Sequence, residues 1–134
     1  MSVIGSAYNT SESAFPSWQC FLDGAKVGGR ASFSAFQQRQ TVCSAGSLST
    51  DQPHIISVQI IGNQNQAFFL DYIRYIPAAD VPLNNAVIRV GTDDSGLTYG
   101  PGWQDGSSKT TAGGVFNSEA SATVAFNFTG LSFM

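Results

Sequence analysis

Residues 122–128 read ATVAFNF, and the alternation in this stretch decides the fold class. Val124, Phe126 and Phe128 stand two positions apart, with smaller or polar side chains between them. Residues 54–61, HIISVQII, repeat the same period of two. Because side chains alternate between the two faces of an extended chain, apolar residues at this spacing line one face of a β-strand. Both stretches therefore predict strands that lie against an apolar core.

Strand-like segments recur at short intervals along the rest of the chain, with turn residues between them. They cover residues 2–5, 18–23, 31–36, 40–45, 67–76, 87–90, 115–117 and 131–134. Residues 37–39 are predicted to form a polar link, and residues 91–114 one long Gly-rich loop. No segment has the period of an amphipathic helix.

Such a succession of short strands and long loops predicts an all-β fold, namely a jelly-roll β-sandwich of one domain over residues 1–134. An immunoglobulin-like sandwich is the alternative, but Cys20 and Cys43 are too close in sequence for its inter-sheet disulfide. Trp18 alternates with Cys20 and Leu22, so we predict that its side chain lies in the core.

The charge content excludes two classes of partner. Only 11% of the 134 residues are charged, and the net charge is −3. Nucleic-acid-binding proteins and polybasic membrane-surface proteins need a basic face, which this composition does not predict. No apolar run approaches the roughly 18 residues of a membrane span. Ten Phe residues against two Glu and two Lys fit an extracellular β-protein.

Cys20 and Cys43 are the only cysteines, and their spacing matches no zinc-ligand pattern. We predict a disulfide between them; two buried free thiols are the alternative. A disulfide favours an extracellular or cell-surface location, and Asn9 and Asn127 begin triplets that could accept an N-linked glycan. Residues 1–5 lack the basic start and apolar run of a signal peptide, so export would need a segment upstream.

Aromatic and polar residues are concentrated in the predicted loop at residues 91–114. Carbohydrate sites stack an aromatic ring on the apolar face of a sugar and flank it with carboxylate or amide groups. The candidate ligand-binding residues of this kind are Trp103, Tyr99, Asp94, Gln104 and Asp105. The alternative role for Trp103 is to fold back and cap the open end of the sandwich.

The sequence offers little for catalysis or for a metal ion. His54 is the one histidine and begins a strand, where a surface or capping role is expected rather than general-base chemistry. No nucleophile elbow or phosphate-binding loop is present, and aspartates in turns are ordinary. A structural calcium ion at Asp93, Asp94 and Asp105 is conceivable, but turn aspartates are the favoured interpretation. We therefore expect a protein that is not an enzyme and has no cofactor.

Four stretches combine into a recognisable pattern. They are residues 20–24 (CFLDG), 68–75 (FFLDYIRY), 93–103 (DDSGLTYGPGW) and 125–132 (AFNFTGLS). Together they resemble a group of basidiomycete fungal surface proteins that carry tandem jelly-roll modules of the galactose-binding-like type. The resemblance covers nearly the whole chain. It implies a module that is secreted or displayed at the cell surface and has no assigned chemistry.

The order of these stretches differs from that family, whose modules run from the Asp-Asp stretch to the Asp-Tyr-Ile stretch. Here residues 1–77 match the second half of a module, residues 78–85 a connector and residues 86–134 the first half. Either the chain closes on itself as a circular permutant, or neighbouring molecules complete one another by strand exchange. We expect a module that binds carbohydrate or cell-wall glycan. The alternative is a surface protein that self-assembles head to tail into a homo-oligomer or filament.

Overall fold

Every regular element in the described part of the chain is a β-strand. The computed structural model describes residues 1–9, 15–28, 37–46, 48–49, 52–62, 66–78, 80, 86–105, 115–117 and 121–131. Their strands are β1 (Ser2–Asn9), β2 (Ser17–Leu22), β3 (Ala25–Val27), β4 (Gln37–Ser44), β5 (His54–Ile61), β6 (Gln66–Pro77), β7 (Ile88–Val90), β8 (Leu97–Tyr99), β9 (Trp103–Asp105), β10 (Val115–Asn117), β11 (Ser121–Phe128) and β12 (Gly130–Leu131). The all-β prediction is confirmed for these residues.

The strands form two antiparallel sheets. Sheet 1 has the order β4-β1-β6-β10-β9, and β7 and β12 also pair with β6. Sheet 2 has the order β3-β2-β5-β11-β8. Apolar side chains from both sheets meet in one buried cluster, which is the two-layer arrangement of a β-sandwich.

The alternation that predicted the core is found in β5 and β11. Val58 and Ile60 of β5 are buried, and so is every second residue of β11 from Ala122 to Phe128. The two strands lie side by side in sheet 2, with Val58 directly opposite Val124. Cross-strand partners share a face, so the apolar residues of both strands form one continuous surface against sheet 1.

A disulfide joins the two sheets. Cys20 in sheet 2 is bonded to Cys43 in sheet 1, with 5.9 Å between their Cα atoms. Trp18 is buried beside this bond, and its ring meets that of Phe68 from sheet 1. The predicted disulfide and the predicted core position of Trp18 are both confirmed.

Two polar segments that were predicted as connections contain strands. Residues 37–39 belong to β4, and residues 91–114 contain β8 and β9. These three strands lie at sheet edges, where polar side chains can face water on more than one side. Residues 37–39 are all polar, and β8 and β9 have three residues each, too few to show the alternation that marks a longer strand. The predicted strand at residues 31–36 lies outside the described residues.

The first and last described strands both pair with β6. Ser2 is opposite Arg74, and Leu131 is opposite Ile76. Only the position opposite Tyr75 separates these two pairings.

Both pairings use the same side of β6. The backbone of Met1 bonds to Ala45, which directly follows β4, so the next residue, Ser2, directs its backbone groups toward Arg74. Pro77 has no N–H, so the pairing with β12 depends on the backbone groups of Ile76. The backbone N–H and C=O groups of Ile76 point to the same side of β6 as those of Arg74, because alternate residues of a strand bond to the same neighbouring strand. β12 and β1 therefore lie in line along one edge of β6.

Candidate functional site

The aromatic residues of the predicted site lie where the chain passes from sheet 2 to sheet 1. β8 ends at Tyr99, and β9 begins at Trp103. The two ring centroids are 5.3 Å apart, and the ring planes are tilted by 60°. Both side chains are partly exposed, and both pack against the core. This end of the sandwich therefore presents a pair of aromatic rings to solvent.

Thr123 in β11 holds the connection between β8 and β9 in place. Its carbonyl oxygen accepts the N–H of Gly100 over 2.8 Å and the indole N–H of Trp103 over 2.9 Å. A Cβ at Gly100 would lie 2.6 Å from Oγ1 of Thr123, so a side chain at this position would require Thr123 to move. Gly102 has a φ of 89°, which glycine adopts without strain. Trp103 thus covers the edge of β11 as a cap would, while part of its ring stays exposed.

Tyr99 is fixed by a separate backbone contact. Its hydroxyl donates to the carbonyl oxygen of Thr92 over 2.8 Å. Burial, and then the nearby negative charge of Asp93, raise the pKa of Tyr99 to about 12. The hydroxyl therefore stays protonated across the physiological pH range, and its hydrogen bond persists.

The other predicted site residues are only partly brought together with the rings. Asp94 accepts the N–H of Gly96 over 2.8 Å, as turn aspartates commonly do. Gln104 follows Trp103 along β9 and therefore faces the opposite side of sheet 1. Asp105 ends β9, and its side chain lies outside the described residues. The strand alternation thus separates Gln104 from the aromatic pair.

The described residues hold no cluster suited to a metal ion. No group of three or more histidine, cysteine or acidic side chains among them is placed to bind one. The set Asp93, Asp94 and Asp105 includes a side chain outside that part of the chain, so the less favoured alternative of a calcium ion there is not tested. In the same part, no helix has the length and apolar character needed to cross a membrane.

His54 is buried, so the surface role, which was one of the two roles expected for it, is wrong. It begins β5 and is 6% exposed. Its Nδ1 lies 2.7 Å from a carboxylate oxygen of Asp23, and its Nε2 lies 2.9 Å from the carbonyl oxygen of Ser49. The other carboxylate oxygen of Asp23 accepts the N–H of Ile55. The Asp23-Gly24 turn signal is visible in the sequence, but no local pattern pairs this turn with a histidine in another strand.

A second polar cluster is also absent from the sequence prediction. Arg39 and Arg89 lie near Asp71, and Arg74 is directly opposite Arg89 on the outer face of sheet 1. They come from β4, β6 and β7, so strand order and register bring them together rather than any motif.

Comparisons with protein-family models, with curated proteins and with solved structures found no match to this chain. A proposal about function therefore depends on the residues and geometry of the chain itself.

Proposed function

We propose that this protein is a non-catalytic extracellular jelly-roll module that binds carbohydrate at the Tyr99–Trp103 pair. The observation that carries the proposal is that both rings are partly exposed while the polar atom of each already bonds to the backbone. The rings are therefore fixed before a ligand arrives. A fixed aromatic surface loses little conformational entropy when a sugar ring stacks on it.

The groups around the rings suit a neutral sugar. Asp93 and Asp94 are exposed in the turn before β8 and offer acceptors for sugar hydroxyl groups. Hydrogen bonds to charged acceptors are stronger than those between neutral groups. The low overall charge of the chain fits an uncharged glycan as the partner.

Two further features support the wider parts of this proposal. Successive long strands alternate between the sheets, with β1, β4 and β6 in sheet 1 and β2 and β5 in sheet 2, as in jelly rolls. The cross-sheet disulfide fits an oxidising, extracellular environment.

Tryptophan fluorescence provides a direct test, because the two indoles differ in exposure. Trp18 is 2% exposed, so a ligand that stacks at the proposed site alters only the emission of Trp103. We expect neutral cell-wall oligosaccharides to shift this emission in a saturable way. Trp103→Phe should abolish the response, and calorimetry should show weaker binding.

Gln104→Ala is the matched control, because Gln104 lies next to Trp103 in sequence but faces the opposite side of sheet 1. It should leave both the response and the affinity unchanged. A panel of neutral glycans that gives no saturable signal at millimolar concentration would refute the proposal. If Gln104→Ala lost as much binding as Trp103→Phe, the binding site would not lie at the aromatic pair.

The alternative function is self-assembly, and the position of β1 and β12 is the observation that bears on it. Both lie in line along one edge of β6 in a single chain, which supports a self-contained, permuted module. The same edge could instead accept β12 from a second copy, which would join molecules head to tail. Sedimentation velocity separates the two. A concentration-independent species of 14.2 kDa supports the self-contained module, whereas mass that grows with concentration supports assembly.

A further inference from the structure

Of the four lysines and arginines among the described residues, three lie in sheet 1. The chain has four arginines and a net charge of −3. Ile73 and Tyr75 pack in the core, so Arg74 between them faces outward. Arg89 is directly opposite Arg74 in the neighbouring strand β7 and shares this outer face of sheet 1. Two like charges at directly paired positions destabilise a sheet. A bound anion between Arg74 and Arg89 would offset this repulsion.

Asp71 is a carboxylate near Arg89 and near a third arginine, Arg39. It is the extra residue of a β-bulge, because its two neighbours face consecutive residues of β1. The hydroxyl of Ser6 donates to it over 2.6 Å, and the same hydroxyl accepts the N–H of Arg39 over 2.9 Å. Burial raises the pKa of Asp71, while its hydrogen bonds and the charges of Arg39 and Arg89 oppose that rise. Both arginines therefore lie within electrostatic reach of the carboxylate.

Two of the three arginines are open to solvent. Arg39 and Arg89 are exposed, and the guanidinium of Arg89 lies over the ring of Tyr72 at 4.1 Å. Nε of Arg74 is buried and has no hydrogen-bond partner in the described part of the chain. Nor does any carboxylate among the described residues form an ion pair with one of these arginines. The cluster thus has three cations against one acid.

The backbone is irregular where these groups converge. Arg39 has a φ of 51°, a left-handed conformation that is uncommon outside glycine. The ladders on both sides of β1 also contain bulges, near Ile4 and Gly5. Bulges redirect side chains and are frequent beside functional sites. This part of sheet 1 is therefore shaped differently from a regular, fully paired sheet.

We propose that Arg39, Arg74, Arg89 and Asp71, which we term the arginine face, bind an acidic saccharide of the uronate type. A guanidinium group forms paired hydrogen bonds with a carboxylate in one plane, so the arginines suit the sugar carboxylate. Asp71 accepts only, so it suits a sugar hydroxyl. Its negative charge also disfavours a doubly charged phosphate. This site lies on the outer face of sheet 1, away from the core of the sandwich. It does not depend on the Tyr99–Trp103 proposal.

Calorimetric titration with an oligogalacturonate tests the arginine face. Its methyl ester is the matched ligand, because it keeps the sugar rings and removes the negative charges. We expect the acid to bind and the ester to bind at least about tenfold more weakly. Arg89→Gln should weaken binding of the acid by a similar factor, and Arg39→Gln is a second exposed position for the same test. Added salt should weaken the binding further.

Lys26→Gln is the matched protein control. It removes the same charge from an exposed position in sheet 2 and should change affinity less than about twofold. Equal weakening by Lys26→Gln and Arg89→Gln would show attraction by net charge alone and overturn the proposal. Equal binding of acid and ester, no binding of either, or inorganic phosphate that competes at equal concentration would also overturn it. Trp103→Phe should leave acid binding intact, which keeps the two proposals distinguishable.

Discussion

Nδ1 of His54 lies 2.7 Å from the carboxylate of Asp23, and 31 residues separate the two along the chain. Nε2 of the same ring faces the carbonyl oxygen of Ser49 at 2.9 Å. Both partners are acceptors, so both bonds form only when each ring nitrogen carries a proton. The pair is then a charged one, and it fastens the β2–β3 turn to the start of β5.

Acid should weaken this attachment. The hydrogen bond from His54, followed by that from the N–H of Ile55, lowers the pKa of Asp23 below its usual 3.8. A carboxyl group with a lowered folded pKa stabilises the fold above its unfolded pKa, and this contribution disappears as pH falls through the folded pKa. We expect the unfolding free energy to fall below about pH 4 in part for this reason. Urea titrations at several pH values measure it.

Asp23→Asn is the matched variant for this prediction. Asn tolerates the φ of 51° at this position, but it has one acceptor oxygen, so it removes the charge and keeps at most one of the two hydrogen bonds. We expect a loss below about 1 kcal/mol at neutral pH, because Asp23 is half exposed, and a shallower fall in acid. An acid slope identical to that of the natural protein would contradict the assigned role of Asp23.

The cross-sheet disulfide should contribute strongly to stability. Cys20 and Cys43 are 23 positions apart, and the loop they close corresponds to about 3.5 kcal/mol in the chain-entropy treatment. The double substitution C20A/C43A should therefore lower the urea midpoint markedly. Reducing the natural protein should produce a similar loss, which serves as the control. An unchanged midpoint in both cases would show that the unfolded chain is not constrained by this bond.

Gly5 occupies a position that no side chain can share. A Cβ there would lie 2.7 Å from Cζ of Phe68, a fully buried ring, and 2.9 Å from the carbonyl oxygen of Phe69. Gly5→Ala should therefore cost about 1–3 kcal/mol, as overpacking usually does. Gly28→Ala is the control, since no atom lies within 4 Å of its Cβ, and it should cost nothing. Similar thermal midpoints for both variants would contradict the close packing of β1 on β6.

The sequence predicts best where one face of a strand is buried. The alternation in β5 and β11 identifies their inward residues, because burial of one face imposes a period of two. The edge strands β8 and β9 have three residues each, too few to show such a period, and were missed, as was the start of β4 at residues 37–39. Contacts such as Asp23 with His54 depend on which strands become neighbours, and that information lies in the packing of the whole sandwich. The extra residue Asp71 is likewise visible only once the register of β1 on β6 is known.

The two tryptophans should differ in what their indole N–H groups contribute. The N–H of Trp18 donates to the carbonyl oxygen of Val42 over 3.0 Å. Val42 is the extra residue of the bulge in β4, because Cys43 and Thr41 on either side of it face consecutive residues of β1. Its carbonyl group is buried and depends on this contact. The carbonyl of Thr123, by contrast, keeps its bond from Gly100 when the indole of Trp103 is removed.

Trp18→Phe should therefore destabilise the protein more than Trp103→Phe. The first leaves a cavity and a buried acceptor without its indole donor, for which we expect a loss of about 2–4 kcal/mol. The second removes one bond at a partly exposed site, for which we expect about 1 kcal/mol or less. Urea unfolding followed by circular dichroism compares the two without relying on either fluorophore. If Trp103→Phe were the more destabilising change, the main role of Trp103 would be to cap the sandwich. The proposal that its ring binds sugar would then be wrong.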